Sequence, residues 1–159
     1  MRRFIVRAEA DDEILVVPPH WHDEHDEIMR VWKGKLKVTL GSEVMICTPE
    51  SGDIFIPRGI PHSLESLKGV PLVFTERTDP SVRIRQKRAV FQKLAGRTRS
   101  LSGSALHIMM VFYHGDMFPV FPIHLPWLEK SFVSVLGGFF APRMGYKVML
   151  KMEEVKRTS

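Results

Sequence analysis

Residues 20–34 read HWHDEHDEIMRVWKG, and the first eight of these positions hold three histidines and four acids. The apolar run ILVVPP leads directly into them. In an extended strand, side chains two positions apart project to the same face, so we expect His20 and His22 to lie side by side. Histidine is the commonest metal ligand but also a frequent surface residue. Taken alone, the stretch therefore fits a metal site and a solvated loop about equally well.

A second stretch, GDIFIPRGIPHSLES at residues 52–66, favours the metal site. Pro57, Gly59 and His62 follow an apolar run with the spacing P-x-G-x-x-H. A tight turn of proline and glycine that delivers one histidine to the start of a strand fits a third ligand. Glu27 begins the alternating run EIMRVW and adds a carboxylate close to the first pair.

The first stretch resembles the first motif of the cupin superfamily. That motif is similar to H-x-H, four residues, E, six residues, G, and His20, His22, Glu27 and Gly34 match every interval. Gly34 is accordingly predicted to be a turn residue between two strands.

The second stretch is similar to the second cupin motif: G, five residues, P-x-G-x-x-H, three residues, N. Pro57, Gly59 and His62 match it, and the first two are predicted to be turn residues. Gly52 stands one residue closer than the motif expects, and Ser66 occupies the place of the usual Asn. The resemblance covers roughly residues 1–78.

This resemblance implies a mainly β, RmlC-like fold, namely an antiparallel β-barrel (jelly roll) of six to eight strands. It also implies that His20, His22, Glu27 and His62 bind one divalent transition metal ion inside the barrel. Three imidazoles and one carboxylate form a mixed nitrogen and oxygen set, which suits Fe, Mn, Ni, Zn or Cu and discriminates poorly among them.

Independently of the motifs, the first half of the chain has the pattern of a β domain. The short apolar runs FIV, EILVV, IMRVW, LKVTL, EVMIC, DIFIP and PLVF are separated by turn signals rich in Gly and Pro. Several runs alternate apolar with polar residues, as half-buried strands do. We therefore predict a cupin β-barrel over residues 1–78. Its substrate pocket is predicted to include Met29, Val31, Phe55 and Leu64.

Four polar positions in these stretches have two interpretations each. His25, with Asp23 and Glu24, is a candidate for a catalytic proton relay at the barrel mouth, since histidine titrates near neutral pH. A solvated loop is the favoured alternative. Arg58, inside the PRG turn, is interpreted as a turn residue rather than a substrate clamp.

The second half of the chain differs in charge and in period. Residues 1–79 hold 10 Lys/Arg and 14 Asp/Glu, whereas residues 80–159 hold 13 and 4, so the halves carry −4 and +9. We predict a basic, then hydrophobic, helical extension over residues 79–159. Its predicted helices are one capped by Asp79 and closed by Gly96, a short one in SGSALHIMMVFYHG, one in PWLEKSFVSVLGG ended by Gly137, and a terminal one in KVMLKMEEVKR. The segment MFPVFPIHLPW is predicted to lack regular structure because it is rich in proline.

The extension carries more large apolar side chains than a small barrel needs. Packing on the barrel or a homodimer interface is the favoured interpretation. A lid over the barrel mouth and a membrane-surface segment are the alternatives, in that order. Nucleic-acid binding is not expected, because the basic segment lacks interleaved aromatic residues and no recognised binding module frames it.

The functional expectation is a metal-dependent cupin enzyme that acts on a small, fairly apolar, oxygen-bearing organic substrate. Oxygenation, decarboxylation and isomerisation or cyclisation all remain open, and the resemblance to small cupins with a helical tail suggests a natural-product pathway. The alternatives are a metal-independent cyclase or isomerase and a non-catalytic binding or sensing cupin.

A single cysteine excludes an internal disulfide, and neither a signal peptide nor an apolar run of about 18 residues is recognised, so a cytoplasmic location is expected.

Overall fold

The computed structural model describes residues 2–6, 14–80 and 105–146. They form two compact units. The first unit contains the described residues up to Pro80 together with Pro119–Ile123, and the second contains the remaining described residues from 105 onward. The predicted terminal helix, and all of the predicted basic helix beyond Pro80, lie outside the described residues. Asp79, its predicted cap, is the last residue of a strand.

The first unit is built from antiparallel strands in two sheets. Its strands are β1 (Arg2–Val6), β2 (Val16–Trp21), β3 (Asp26–Lys33), β4 (Leu36–Leu40), β5 (Glu43–Cys47), β6 (Asp53–Ile56), β7 (His62–Ser66) and β8 (Leu72–Asp79), together with Pro119 of the two-residue strand β9 (Phe118–Pro119). One sheet has the order β1-β8-β3-β6 and the other β5-β4-β7-β2-β9. The predicted mainly antiparallel β class is thereby confirmed. Hydrogen bonding between the described strands does not close a continuous barrel, and the arrangement is consistent with a jelly roll.

Strand β9 lies in the proline-rich segment that was predicted to lack regular structure, so that prediction is wrong at this point. The strand has only two residues and occupies the edge of the second sheet beside β2. Directly after it, the Val120 amide donates to the Pro19 carbonyl at 3.1 Å. Proline is tolerated here because an edge strand needs hydrogen bonds on one side only.

Alternation along the strands places one face of each sheet in the core. On β3, Met29 and Val31 are buried, and on β8 Leu72 and Phe74 are buried in the same way. Strand β7 has the sequence HSLES and was not among the apolar runs, yet its alternate residues are buried too. Strand β7 contains no apolar run because two of its buried residues, His62 and Ser66, are polar. These two residues bring polar atoms into the core.

The second unit is helical. Its elements are α1 (Ala105–His114), α2 (Pro126–Val133), a π-helical segment (Ser134–Phe140) and α3 (Ala141–Arg143). The last three follow one another without a break, so the prediction that Gly137 ends the helix is wrong. A Cβ added at Gly137 would lie 2.1 Å from the Met109 carbonyl oxygen of α1. This glycine therefore permits a close contact between two helix backbones instead of terminating one.

No helix in the described ranges combines the length and the apolar character that crossing a bilayer requires.

Candidate metal centre

Four side chains predicted as ligands come from three strands and one strand end of the first unit. His20 on β2 and His62 on β7 are register partners in the five-stranded sheet. His22 follows directly after β2, and Glu27 lies on β3 of the four-stranded sheet. All four are at most 3% exposed. The two sheets thus contribute polar side chains to one buried region.

These four side chains are also close together. The ring centroids of His20 and His62 are 4.2 Å apart, and that of His22 lies 5.1 Å from His20 and 5.3 Å from His62. One candidate ligand atom from each residue can be chosen so that all lie within 4.8 Å of one another. Donors at about 2.1 Å from a shared ion lie up to about 4.2 Å apart. Small side-chain movements would therefore bring the set to that spacing.

Backbone carbonyls orient two of the imidazoles. His20 Nδ1 lies 2.9 Å from the Pro18 carbonyl oxygen, and His62 Nδ1 lies 3.1 Å from the Ile60 carbonyl oxygen. A carbonyl can only accept, so each Nδ1 carries the hydrogen and donates it. This leaves each Nε2 as the atom available for a ligand, an arrangement that metal-binding histidines commonly have.

Glu27 is held as a carboxylate in this buried position. Burial by itself raises the pKa of Glu27, but the hydrogen bond from His62 and the charges of His22 and His62 outweigh it and hold that pKa well below its usual value. The Glu27 Oε2 atom is 3.2 Å from His62 Nε2 and 3.9 Å from His22 Nε2.

The His62–Glu27 contact tests whether a cation fits. Both ring nitrogens of His62 face acceptors, the Ile60 carbonyl on one side and the Glu27 carboxylate on the other. A neutral imidazole would direct its lone pair at an anion on one of these sides. A proton or a metal ion at Nε2 removes that conflict, so the donor set fits a divalent cation.

Two hydrogen bonds fix the turn that precedes His62 against the first motif. The Gly59 amide donates to the His22 carbonyl at 2.7 Å. Arg58 donates from its backbone amide at 2.9 Å and from Nε at 3.0 Å to Asp26 Oδ1, and from Nη2 to Oδ2 at 3.0 Å. Asp26 is the first residue of β3, next to Glu27. Arg58 thus positions the turn, as its predicted role as a turn residue requires.

Ser66 has a structural role at the position where the second motif usually has Asn. It is buried, its hydroxyl accepts from the Leu15 amide at 2.8 Å, and its own amide donates to the Leu15 carbonyl at 2.9 Å. Ser66 therefore ties β7 to the residue just before β2, so that the strands carrying His20 and His62 are held together at both ends.

The Asp26–Arg58 pair predicts a pH-dependent contribution to stability. The side-chain hydrogen bond from Arg58, followed by its backbone hydrogen bond, lowers the pKa of Asp26 from 3.8 to about 2. A carboxyl group whose pKa is lower in the folded state stabilises the fold above its unfolded-state pKa and loses that effect as the pH falls through its folded-state pKa. Asp26→Asn should therefore destabilise the protein at neutral pH, and its difference from wild type should shrink between about pH 4 and about pH 2.

Urea denaturation midpoints across this pH range measure the effect, and Glu43→Gln on β5 serves as the control for removing one exposed acid. A difference between Asp26→Asn and wild type that stays constant down to pH 2 would contradict the assigned ion pair.

Glu76 belongs to the site and was missed in the sequence. It lies on the inner face of β8, where Leu72, Phe74 and Glu76 alternate, and is 1% exposed. It is the register partner of Met29, and its contact with Glu27 contributes to the lowered pKa of that carboxyl. Continuing the alternation of PLVF by two residues would have located it.

The remaining predicted site residues divide into buried and exposed ones. Met29, Val31 and Leu64 are buried, each at most 1% exposed. Phe55 is 54% exposed, so its predicted place in an interior pocket is wrong. On β6, its neighbours Ile54 and Ile56 are the residues that point inward.

His25 contradicts the favoured solvated-loop interpretation, because it is completely buried. Its ring centroid lies 4.4 Å from that of His22. Glu24 is exposed and Asp23 is half-buried, so the solvated interpretation fits Glu24 better than its neighbour His25. A catalytic role for His25 stays a prediction.

No family model matches the chain, and no curated protein matches it. Among solved structures, KdgF from Halomonas sp. is 29% identical over 46% of this chain and 74% of its own, with a TM-score of 0.36. The polyketide cyclase RemF from Streptomyces resistomycificus is 32% identical over 37% of this chain and 42% of its own, with a TM-score of 0.33. A chain from the structures of the DMSP lyases RdDddP and RnDddQII is 19% identical over 38% of this chain and 30% of its own, with a TM-score of 0.33. The chain thus spans less than two thirds of the cyclase and lyase chains.

The fold and the site are consistent with a cupin-type protein, the class that the sequence resembles. Two antiparallel sheets pack their inner faces together, and the histidines and glutamate of both motifs meet in the buried region that they form.

Proposed function

We propose that this protein is a metal-dependent cupin enzyme that acts on a small, oxygen-bearing organic molecule. The observation that carries the proposal is the buried set of three imidazoles and one carboxylate whose donor atoms lie within 4.8 Å of one another. Burial of an ionised carboxylate is costly unless positive charge compensates for it, and a divalent ion supplies that charge. His20, His22, Glu27 and His62 would hold the ion.

The residues of the chain have separable roles in this proposal. When bound, a divalent ion with these ligands acts as a Lewis acid towards an enol, carboxylate or catechol-like group. His20 and His62 are held in one orientation by their Nδ1 hydrogen bonds. The buried apolar side chains Met29 and Val31 continue the inner face of β3 beyond Glu27, so that they exclude water and suit a fairly apolar substrate.

Elemental analysis of the purified protein, combined with mass spectrometry of any small molecule that co-purifies, tests the proposal. The co-purified molecule is then incubated with protein stripped by a chelator and with protein reloaded with metal. Conversion by the reloaded protein alone supports the proposal. Conversion by both forms would instead identify a metal-independent cyclase or isomerase. A molecule that raises the melting temperature but is converted by neither form would identify a binding protein.

Glu76 is expected to strengthen metal binding by positioning Glu27. Glu76→Leu removes the carboxyl group that contacts Glu27, and losing such an outer partner typically weakens metal binding by about 10–100-fold. Glu76→Gln keeps a polar side chain of the same shape at this place, so it should retain most of the affinity. Competition with a chromophoric chelator measures the dissociation constant of each variant.

Glu65→Leu is the matched control, because Glu65 lies on β7 and pairs with Lys37 at 3.0 Å on the partly exposed outer side of the sheet. If Glu76→Leu and Glu65→Leu bound metal equally well, Glu76 would have no positioning role.

A further inference from the structure

The helical unit exposes a row of large apolar side chains. We define the apolar stripe as Trp127, Leu128, Phe132, Val135 and Phe139, which recur along α2 and the π-helical segment. Trp127 is 68% exposed, and the other four are 39–48% exposed. Water-soluble proteins rarely expose so continuous an apolar surface unless it contacts a partner or a membrane.

The apolar stripe is distinct from the helix face that packs against the rest of the unit. Val133, Gly137 and Ala141 recur every four residues and are buried. Gly137 is the residue whose backbone approaches Met109 of α1. The helix therefore has one face buried within its unit and a second apolar face that remains exposed.

The charges around the stripe identify its occupant. Between residues 123 and 146, the exposed charged side chains are Lys130 and Arg143. The acid in this range, Glu129, is fully buried and pairs with His124 at 3.0 Å. The Arg143 guanidinium lies 3.5 Å from the centre of the Phe139 ring, so positive charge is held directly against the stripe.

An anionic lipid surface complements this combination better than a second copy of the chain. Apolar and aromatic side chains enter the boundary between headgroups and acyl chains, while neighbouring cations attract anionic headgroups. Tryptophan is favoured at that boundary because its ring is amphipathic. A two-fold dimer through the same face would bring identical cations towards each other.

We infer that the apolar stripe binds the surface of an anionic lipid bilayer, with Arg143, which is held against Phe139, contacting the headgroups. This inference is independent of the metal centre, since the side chains that carry it all belong to the helical unit.

Flotation of the full chain with vesicles tests the inference. Vesicles of phosphatidylcholine alone are compared with vesicles that also contain phosphatidylserine. The wild-type protein should float with the phosphatidylserine vesicles, should float far less with phosphatidylcholine alone, and should be released by high salt. Trp127→Ser combined with Phe132→Ser should lower binding by more than about 10-fold, because both side chains lose their apolar contact. Arg143→Glu should also reduce it, because it reverses the charge held against Phe139.

Val44→Ser combined with Ile46→Ser is the matched control. These side chains are 59% and 50% exposed on β5 of the other unit, and replacing them should leave flotation unchanged. Tryptophan emission gives a second readout. It should shift to shorter wavelength with phosphatidylserine vesicles in the wild type and not in Trp127→Phe, which keeps an apolar ring and so preserves the fold.

Three results would overturn the inference. They are no flotation with phosphatidylserine vesicles, equal flotation with neutral vesicles, and a solution dimer that the Trp127 and Phe132 substitutions dissociate while vesicles bind neither form. The last result would assign the stripe to a second copy of the chain.

Discussion

His62→Ala is expected to weaken divalent metal binding by more than about 100-fold. Changes in outer residues that only orient a ligand cost about 10–100-fold, and removal of a ligand itself should cost more. The substitution also removes the group that lies 3.2 Å from the buried Glu27 carboxylate. Without it, the pKa of Glu27 should rise, since burial then has less to oppose it. Metal content after dialysis and competition with a chelator measure the loss.

Two further variants make this result interpretable. His62→Gln keeps an amide donor towards Glu27 while removing the imidazole, so it separates metal loss from misfolding if the alanine variant is unstable. His107→Ala removes a histidine from α1 and should leave metal binding unchanged. Wild-type affinity in a folded His62→Gln variant would show that the four residues do not form the binding site.

The location of the candidate site could be predicted because strand geometry fixes it. Residues two apart on a strand share a face, which relates His20 to His22. A proline–glycine turn brings His62 to the start of β7, where antiparallel pairing makes it the partner of His20. Each step depends on local geometry that the sequence itself encodes. The hydrogen bonds that orient His20 and His62 could not be predicted in this way. Their acceptors are the backbone carbonyls of Pro18 and Ile60, which every residue type carries.

The structure differs from the predictions at positions where the local sequence pattern is compatible with more than one arrangement. Ile54, Phe55 and Ile56 are consecutive apolar residues, so their pattern does not determine which parity faces the core. Pairing of β6 with β3 decides it, and that is a long-range contact. His25 is polar by composition and buried by its position next to His22, which no periodicity predicts. Gly137 has the residue type that favours a helix end, whereas the close approach of the α1 backbone is what requires a glycine there.

Gly34→Ala should be the most destabilising small substitution in the first unit, with an expected loss of about 4 kcal/mol or more in the free energy of unfolding. Gly34 has a φ of 83° in the turn between β3 and β4. A Cβ there would lie 2.1 Å from the Pro71 carbonyl oxygen and 3.2 Å from the Leu72 Cα. Both are backbone atoms at the start of β8, and Leu72 is fully buried. Neither can move aside as the end of a flexible side chain can.

Gly41→Ala separates this contact from backbone strain alone. Gly41 also has a positive φ, 59°, but no atom lies within 4 Å of its added Cβ. Its replacement should therefore cost only the roughly 1–2 kcal/mol of a left-handed conformation. Urea denaturation followed by the emission of Trp21 and Trp32, both in the first unit, gives the two midpoints. Equal losses in the two variants would mean that the turn is not packed against β8. A much larger loss for Gly34→Ala would show that the motif glycine is required by the approach of Pro71, and that it holds the β3–β4 turn against the strand that carries Glu76.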